Sequence, residues 1–562
     1  MISPIKSLIP SFVGKLSAPA LIWSAGLAVA ALLICLPVFY VGASLFSDQK
    51  MVWETLLPQL GDYTRNSLLL MTGVGLGVLI LGVGAGWLTA VCDFPGRRLW
   101  DWALLTPLAA PAYLVGYAYT SFLDYYGPVQ SLLREIFQWQ SVEDYWFPDI
   151  RNLWGALGMF IVTLYPYVYL LARSAFKDQG VVSLEASRSL GCSPWGSFWR
   201  VSLPLARPAI AAGLALALME TLNDFGTVQY FGVNTFTTGI YNTWFGLGER
   251  QGAAQLAAGL MVFILVLVFL ELYARRQSRY YQTPRPAQFR SRYSLRGWRG
   301  VLAALACFLP LLFGFLIPLL YLLYLTLAYA QDVENNNFFN LAQNSFLLAS
   351  LSALLAVVLA VFLAYGKRLL AQPLLTALVR LAASGYALPG SVIAVGILIP
   401  AGQFDNALDQ WMRAQFQIST GLLLSGTLIL LVYAYLVRFL AVAFGAVDSS
   451  LLKIKPSLDD AARSLGQSPL PILWRVHLPL LTGGLLTAAM LVFVDVMKEL
   501  PATLVIRPFN FDTLAVRVYQ YASDERLTEA AAPALAIMGV GLLPVILLSL
   551  QLSRGRTSPS QF

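Results

Sequence analysis

About twelve predominantly apolar stretches, each long enough to cross a bilayer, fall at residues 20–46, 65–92, 102–123, 153–172, 205–226, 253–273, 301–329, 344–365, 376–400, 419–443, 481–503 and 530–552. Little chain is left over for anything else. Charged residues make up 12% of the sequence, against about 25% in soluble domains, so lipid rather than water is the solvent for most of it. The expected class is an all-α polytopic membrane protein. Pro111 and Pro389 interrupt two of the stretches, and neighbouring helices are expected to absorb the freed backbone groups without splitting either span. The first run is too long for the apolar region of a signal peptide, which predicts that it stays as the first span.

The net charge of +8 reads as topology. With the N-terminus inside, most Lys and Arg fall in cytoplasmic segments or at the inner ends of spans, so both termini are expected in the cytoplasm. Nucleic acid is not needed to explain the basic excess. Segment 274–300 carries eight arginines near the midpoint of the chain and reads as a cytoplasmic linker; the same composition attracts anionic lipid head groups. Cys35, Cys92, Cys192 and Cys307 are scattered without metal-ligand spacing.

Self-similarity gives the architecture. Glu185-Ala-Ser-Arg-Ser-Leu-Gly191 recurs as Asp460-Ala-Ala-Arg-Ser-Leu-Gly466, 275 residues on, and Trp199-Arg-Val and Leu203-Pro-Leu recur as Trp474-Arg-Val and Leu478-Pro-Leu at the same offset. Asn66-Ser67 and Pro111 recur as Asn344-Ser345 and Pro389 at an offset of 278. The division is therefore a first half over 1–273, the linker, and a second half over 301–562. Each half holds an even number of spans, so the two are parallel repeats of six related by a pseudo-two-fold axis along the membrane normal, and the natural pathway lies on that axis. The longest matched segment is polar and lies outside the spans, where helix packing cannot be what keeps it alike.

Both copies fit the pattern E/D-A-A/S-x3-G-x9-V-x-L-P, which resembles the signature cytoplasmic loop of binding-protein-dependent ABC importer permeases. Ser187 replaces the second alanine in one copy, and Asp460 replaces glutamate in the other. The resemblance implies two copies of an ABC ATPase, one docked on each loop, with Glu185, Ala186, Arg188 and Gly191, and Asp460, Ala461, Arg463 and Gly466, forming the coupling surfaces. It also implies a periplasmic solute-binding protein on the outer face and residence in the bacterial inner membrane. From the residues alone, each loop reads as a short helix closed by a C-capping glycine, with Leu203-Pro204 and Leu478-Pro479 starting the next span. An amphipathic loop lying in the interface is the alternative. No G-x-x-x-x-G-K-[ST] phosphate loop is present. The chain is thus expected to be a transport subunit, not an enzyme, holding no cofactor, with ATP-Mg bound by the partner ATPase.

The span after each loop ends in ionisable residues: Glu220 and Asp224, then Asp495 and Glu499 with Lys498. The carboxylates match at offset 275 and lie four apart, on one helix face in each half. They are too costly to present to lipid. On the axis they would form an acidic ring favouring cations; the alternatives are a wet outer mouth and ion pairing with Lys498. His477, the sole histidine, stands where the first copy has Ser202 and reads as a local hydrogen-bonding or docking residue.

Met219-Glu-Thr-Leu-Asn-Asp-Phe-Gly-Thr-Val228, the run from Phe231 to Tyr241, Lys498-Glu-Leu-Pro-Ala-Thr-Leu504 and the run from Arg507 to Leu514 are similar to ferric iron importer permeases. The expected solute is therefore ferric iron, with thiamine or a phosphonate as alternatives from permeases of the same plan. No metal site has convincing ligand spacing. Segments 124–150, 226–251 and 507–526, rich in aromatics and charge, are the expected docking surface for the binding protein, and equally suit an interfacial belt. An ion-gradient-driven transporter would fit the span count and the repeat, but has no use for paired docking loops.

Overall fold

Backbone entering lipid must satisfy its own N–H and C=O groups, so such a chain becomes helix wherever it crosses. The structure, a computed structural model, describes residues 18–46, 50–179, 187, 189–276, 292–329, 335–370, 372–383, 385 and 388–554. In chain order the main helices are α1 (Ala18–Ser44), α2 (Lys50–Val91), α3 (Arg97–Ala103), α4 (Ala112–Leu123), α5 (Pro128–Phe137), α6 (Leu153–Asp178), α7 (Leu203–Asn223), α8 (Gly226–Tyr230), α9 (Phe236–Tyr241) and α10 (Arg250–Arg276). The second half repeats the series as α11 (Trp298–Leu311), α12 (Ile317–Ala328), α13 (Asn335–Leu370), α14 (Pro373–Ala382), α15 (Gly390–Phe416), α16 (Leu428–Leu451), α17 (Pro456–Ser464), α18 (Leu478–Met497), α19 (Pro501–Ile506), α20 (Leu514–Ser523) and α21 (Leu527–Arg554).

Among the described residues, 11 helices are long and apolar enough to cross a membrane. The remaining apolar stretch, 102–123, is broken, which corrects the expectation that Pro111 and Pro389 lie within continuous spans. α3 stops at Ala103, one 3-10 turn spans Thr106–Ala109, Ala110 is extended, and α4 starts with Pro111 as its N-cap. Likewise α14 ends at Ala382 and α15 begins after Pro389. A proline has no N–H to give and pushes the preceding residue out of helical conformation, so a helix starts at it more readily than it passes through.

Close packing inside the first half depends on small residues. A side chain at Gly82 of α2 would meet the Val168 Cβ at 2.7 Å and the Tyr169 amide nitrogen at 2.9 Å on α6, so the two helices approach to backbone contact there.

The described residues divide into two compact units that do not follow the sequence halves. Of the described residues, one unit draws on those within 18–39, 350–385 and 435–493, the other on those within 40–349, 388–434 and 494–554. In the first unit, Trp23 of α1 stacks on Phe362 of α13 at 5.1 Å, and Gly366 leaves room for Leu27. In the second, the Tyr119 hydroxyl of α4 donates to the Phe313 carbonyl at 2.8 Å, and Ser121 lies 2.8 Å from the Tyr321 hydroxyl of α12. Each half thus lends its first span to helices of the other. Of the expected linker, 277–291 lie outside the described residues; α10 runs on to Arg276, and β2 (Tyr293–Ser294) pairs in parallel with β1 (Cys92–Asp93).

Candidate functional site

The two coupling loops share one geometry where both are described. Glu185, Ala186 and Arg188 lie outside the described residues. Gly191 and Gly466 take φ of 80° and 75°, and each closes its helix by the same long-range bond: Cys192 N–H to Ser187 C=O at 2.9 Å, and Gln467 N–H to Ala462 C=O at 3.1 Å. A left-handed residue followed by such a bond is a Schellman stop. In the second loop Asp460, Ala461, Arg463 and Gly466 are all exposed, and Asp460 pairs only loosely with Arg463, at 3.7 Å. Their polar groups face outward, away from the unit to which α17 belongs.

Ser187, the departure from alanine, has a local cause. Its hydroxyl lies buried 2.7 Å from that of Ser197, whereas the matching positions in the second half, Ala462 and Ile472, are both buried and apolar. The pair changes character together. Sequence reading also missed Leu190 and Leu465, which stand beside the glycines at 84% and 79% exposure. An apolar side chain so placed on a polar loop in both copies is a signal for a partner surface.

The segments after the loops differ from expectation. Helix begins before Leu203-Pro204 and Leu478-Pro479, with Pro194–Ser197 and Pro469–Ile472, and passes through a π turn at Phe198–Ser202 and Leu473–His477. The Leu203 amide reaches back to Phe198 and that of Leu478 to Leu473. The wider turn makes room just ahead of a proline whose ring would clash with a regular helical carbonyl.

Of the four carboxylates, two cap helices. Asp224 accepts from the Thr227 amide (2.8 Å), the Val228 amide (3.3 Å) and the Thr227 hydroxyl (3.0 Å). Glu499 accepts from the Ala502 and Thr503 amides at 2.8 and 2.9 Å and from the Thr503 hydroxyl. The amide donors match at offset 275, while the hydroxyl comes from Thr227 in one half and from Thr503, one place on, in the other; the amides are the free ones at the start of α8 and α19. Asp495 forms an ion pair with Lys498 at 2.9 Å. Glu220 lies half-buried one turn before Asp224, whose amide donates to the Glu220 carbonyl at 3.1 Å. Gly226 and Leu500 bring the two capped turns together: a side chain on Gly226 would meet the Leu500 Cδ2 and the Tyr113 Cβ, each at 2.9 Å. Phe225, at the position matching Leu500, packs on Tyr241 at 4.5 Å and on Tyr519 at 5.6 Å. Sequence reading did not bring this buried aromatic group to the carboxylates. No group of three or more His, Cys, Asp and Glu residues able to hold a metal occurs among the described residues.

His477 is fully buried, with its Nε2 2.7 Å from Asp459. On the expected binding-protein face, Arg151 meets Glu525 at 3.1 Å and the Tyr230 hydroxyl at 3.2 Å. The Ser141 and Gln140 amides hold the Asp144 carboxyl below its usual range. Tyr126, Trp146 and Phe509 are among the most exposed aromatics of the chain.

Residues 79–280 match the family described as binding-protein-dependent transport system inner membrane component. Through its first half and the repeat of it, the chain is similar to fused two-half ABC importer permeases, and its apolar helices fit a multi-pass protein of the inner membrane. It is similar to the Fe(3+)-transport system permease protein FbpB 2 of Haemophilus influenzae, 27% identical over 526 residues, covering 92% of this chain and 95% of that one. The ferric transport system permease protein FbpB of Actinobacillus pleuropneumoniae is 23% identical over 78% of this chain and 63% of its own. The molybdenum transport system permease protein ModB of Escherichia coli is 28% identical, covering 36% of this chain but 87% of its own.

Proposed function

We propose that this permease imports ferric iron delivered by a periplasmic binding protein, driven by two ATPase subunits, one on each coupling loop. The likeness to an Fe(3+)-transport permease along nearly the whole of both chains carries the choice of solute; the molybdenum permease covers about a third of this chain. Matching glycine stops in the two loops support two docking sites. The charge distribution supports cytoplasmic termini and loops, with segments 124–150, 226–251 and 507–526 facing the binding protein. ATP-Mg belongs to the ATPase, and this chain holds no cofactor of its own. Along the axial route, Asp224 and Glu499 hold the two turns in shape, while Glu220 and Asp495 supply the negative charge that a cation meets.

The test is ATP-dependent uptake into liposomes carrying the chain, its ATPase and its binding protein. Labelled ferric iron is expected inside, undiminished by excess molybdate, thiamine or 2-aminoethylphosphonate. Uptake of one of those solutes in place of iron would leave the importer standing and reject the iron assignment.

A further inference from the structure

The second coupling loop is tied to its spans through a charged pair, Asp459 with Arg368, at positions where the first half has Leu184 and Ala90. α17 has nine residues, too few to hold a helix on their own, so its orientation comes from what its inner face touches. That face presents Asp459 and Ala462, both buried, while Asp460, Ala461 and Arg463 look outward. Asp459 Oδ2 accepts from Arg368 Nε at 2.8 Å, and its Oδ1 lies 2.7 Å from His477 Nε2. Arg368 also donates to the Leu451 carbonyl at 2.7 Å, so one guanidinium joins the end of α16 to the start of α17. His477 belongs to the π turn that opens into α18. Beside it, the Tyr365 ring lies 5.3 Å from the imidazole, and the Tyr365 hydroxyl donates to the Pro469 carbonyl at 2.7 Å. Lys367 closes the group on Asp448 at 2.7 Å. Every one of these residues lies in one compact unit.

At the positions matching Arg368, Asp459 and His477, the first half has Ala90, Leu184 and Ser202. Its contacts near the loop include aromatic and neutral ones: Trp87 edge-on to Phe198 at 5.1 Å, and the Gln179 side chain donating to the Ser202 carbonyl at 2.8 Å.

From this we infer that Asp459 is a positioning residue which locks the second docking helix to α13, α16 and the base of α18. This rests on the reading that the loops receive the ATPases. A push on the outer face of α17 is carried through Asp459 to Arg368 with little give, because buried charge-assisted contacts are short and directional, and His477 packs against the same carboxylate.

The experiment compares wild type, Asp459→Asn, His477→Gln, Arg368→Lys and Ser202→Ala in proteoliposomes with ATPase and binding protein, scoring ATPase copies bound and solute moved per ATP hydrolysed. Asp459→Asn and His477→Gln are expected to keep both ATPases yet move less solute per ATP, by about tenfold for Asp459→Asn, the scale of one lost charge-assisted hydrogen bond. Arg368→Lys, which keeps the charge, is expected to keep most of the wild-type ratio, and Ser202→Ala to leave it unchanged. A role in folding alone would lower yield and ATPase binding together without changing solute per ATP. Should Asp459→Asn not assemble, His477→Gln, which removes one contact only, gives the same reading. An unchanged ratio in assembled Asp459→Asn or His477→Gln overturns the clamp; failure of the wild-type chain to bind ATPase at all overturns the docking reading instead.

Discussion

At the residue scale, a carboxylate near the end of a span can serve as a charge for a passing ion or as an acceptor for backbone amides, and single substitutions separate the two. Asp224→Asn keeps an oxygen for the Thr227 and Val228 amides and loses the charge; Asp224→Ala loses both. If Asp224 is a cap, the asparagine variant melts like wild type in detergent, while the alanine variant loses about 1 kcal/mol, the usual cost of removing a capping acceptor. Uptake follows the same order, whereas Glu220→Gln lowers uptake with little change in melting point, and Asp495→Asn also lowers the melting point because it strips Lys498 of its partner. The sequence showed that these four residues match in pairs, because their offset is the same as that of the loops. It did not separate their tasks, although Asp224 followed three residues later by Thr227 is the spacing of a capping turn. Nor could spacing show the reversed ion pair on the preceding spans. Arg173 of α6 meets Asp101 at 2.8 Å, and at the matching place on α16 Asp448 meets Lys367 instead. A repeat search scores this position as a mismatch, yet both halves pair a charge there with its partner.

At the element scale, the repeat is carried by how helices begin and end. The same π turn precedes Pro204 and Pro479, and the same left-handed glycine follows each docking helix. Around Gly191 and Gly466 no atom would touch an added Cβ within 4 Å, so a substitution there costs backbone strain and little else. Gly466→Asn is expected to bind ATPase nearly as wild type, Gly466→Ala to lose about 1 kcal/mol of loop stability, and Gly466→Val more, since β-branched residues tolerate positive φ least. ATPase capture from dilute solution reads that order. The glycine stops were legible because only a few residues suit such a backbone. The breaks at Pro111 and Pro389 were not, because apolar content alone cannot tell one span from short helices separated by extended turns. The halves also differ within this similarity. α4 and α5 are separate helices around Gly127-Pro128, where the second half runs unbroken as α15 and has no proline at the matching place.

At the scale of the whole molecule, duplication does not produce two independent domains. α1 packs on α13 of the other half, and α11 and α12 pack among helices of the first, so the boundary that composition places at 274–300 divides the sequence without dividing the contacts. Hydropathy could locate the spans, since each must match the membrane, but not assign partners to them, since all spans offer much the same apolar faces. What this arrangement leaves outside is a pair of loops with matching stops and matching exposed leucines, and the central claim is that each receives one ATPase. The most direct measurement is the number of ATPase subunits held by the purified chain, by native mass spectrometry, for wild type, Leu190→Glu, Leu465→Glu and the double variant. Two, one, one and none are the expected counts; two ATPases on the double variant would contradict the account.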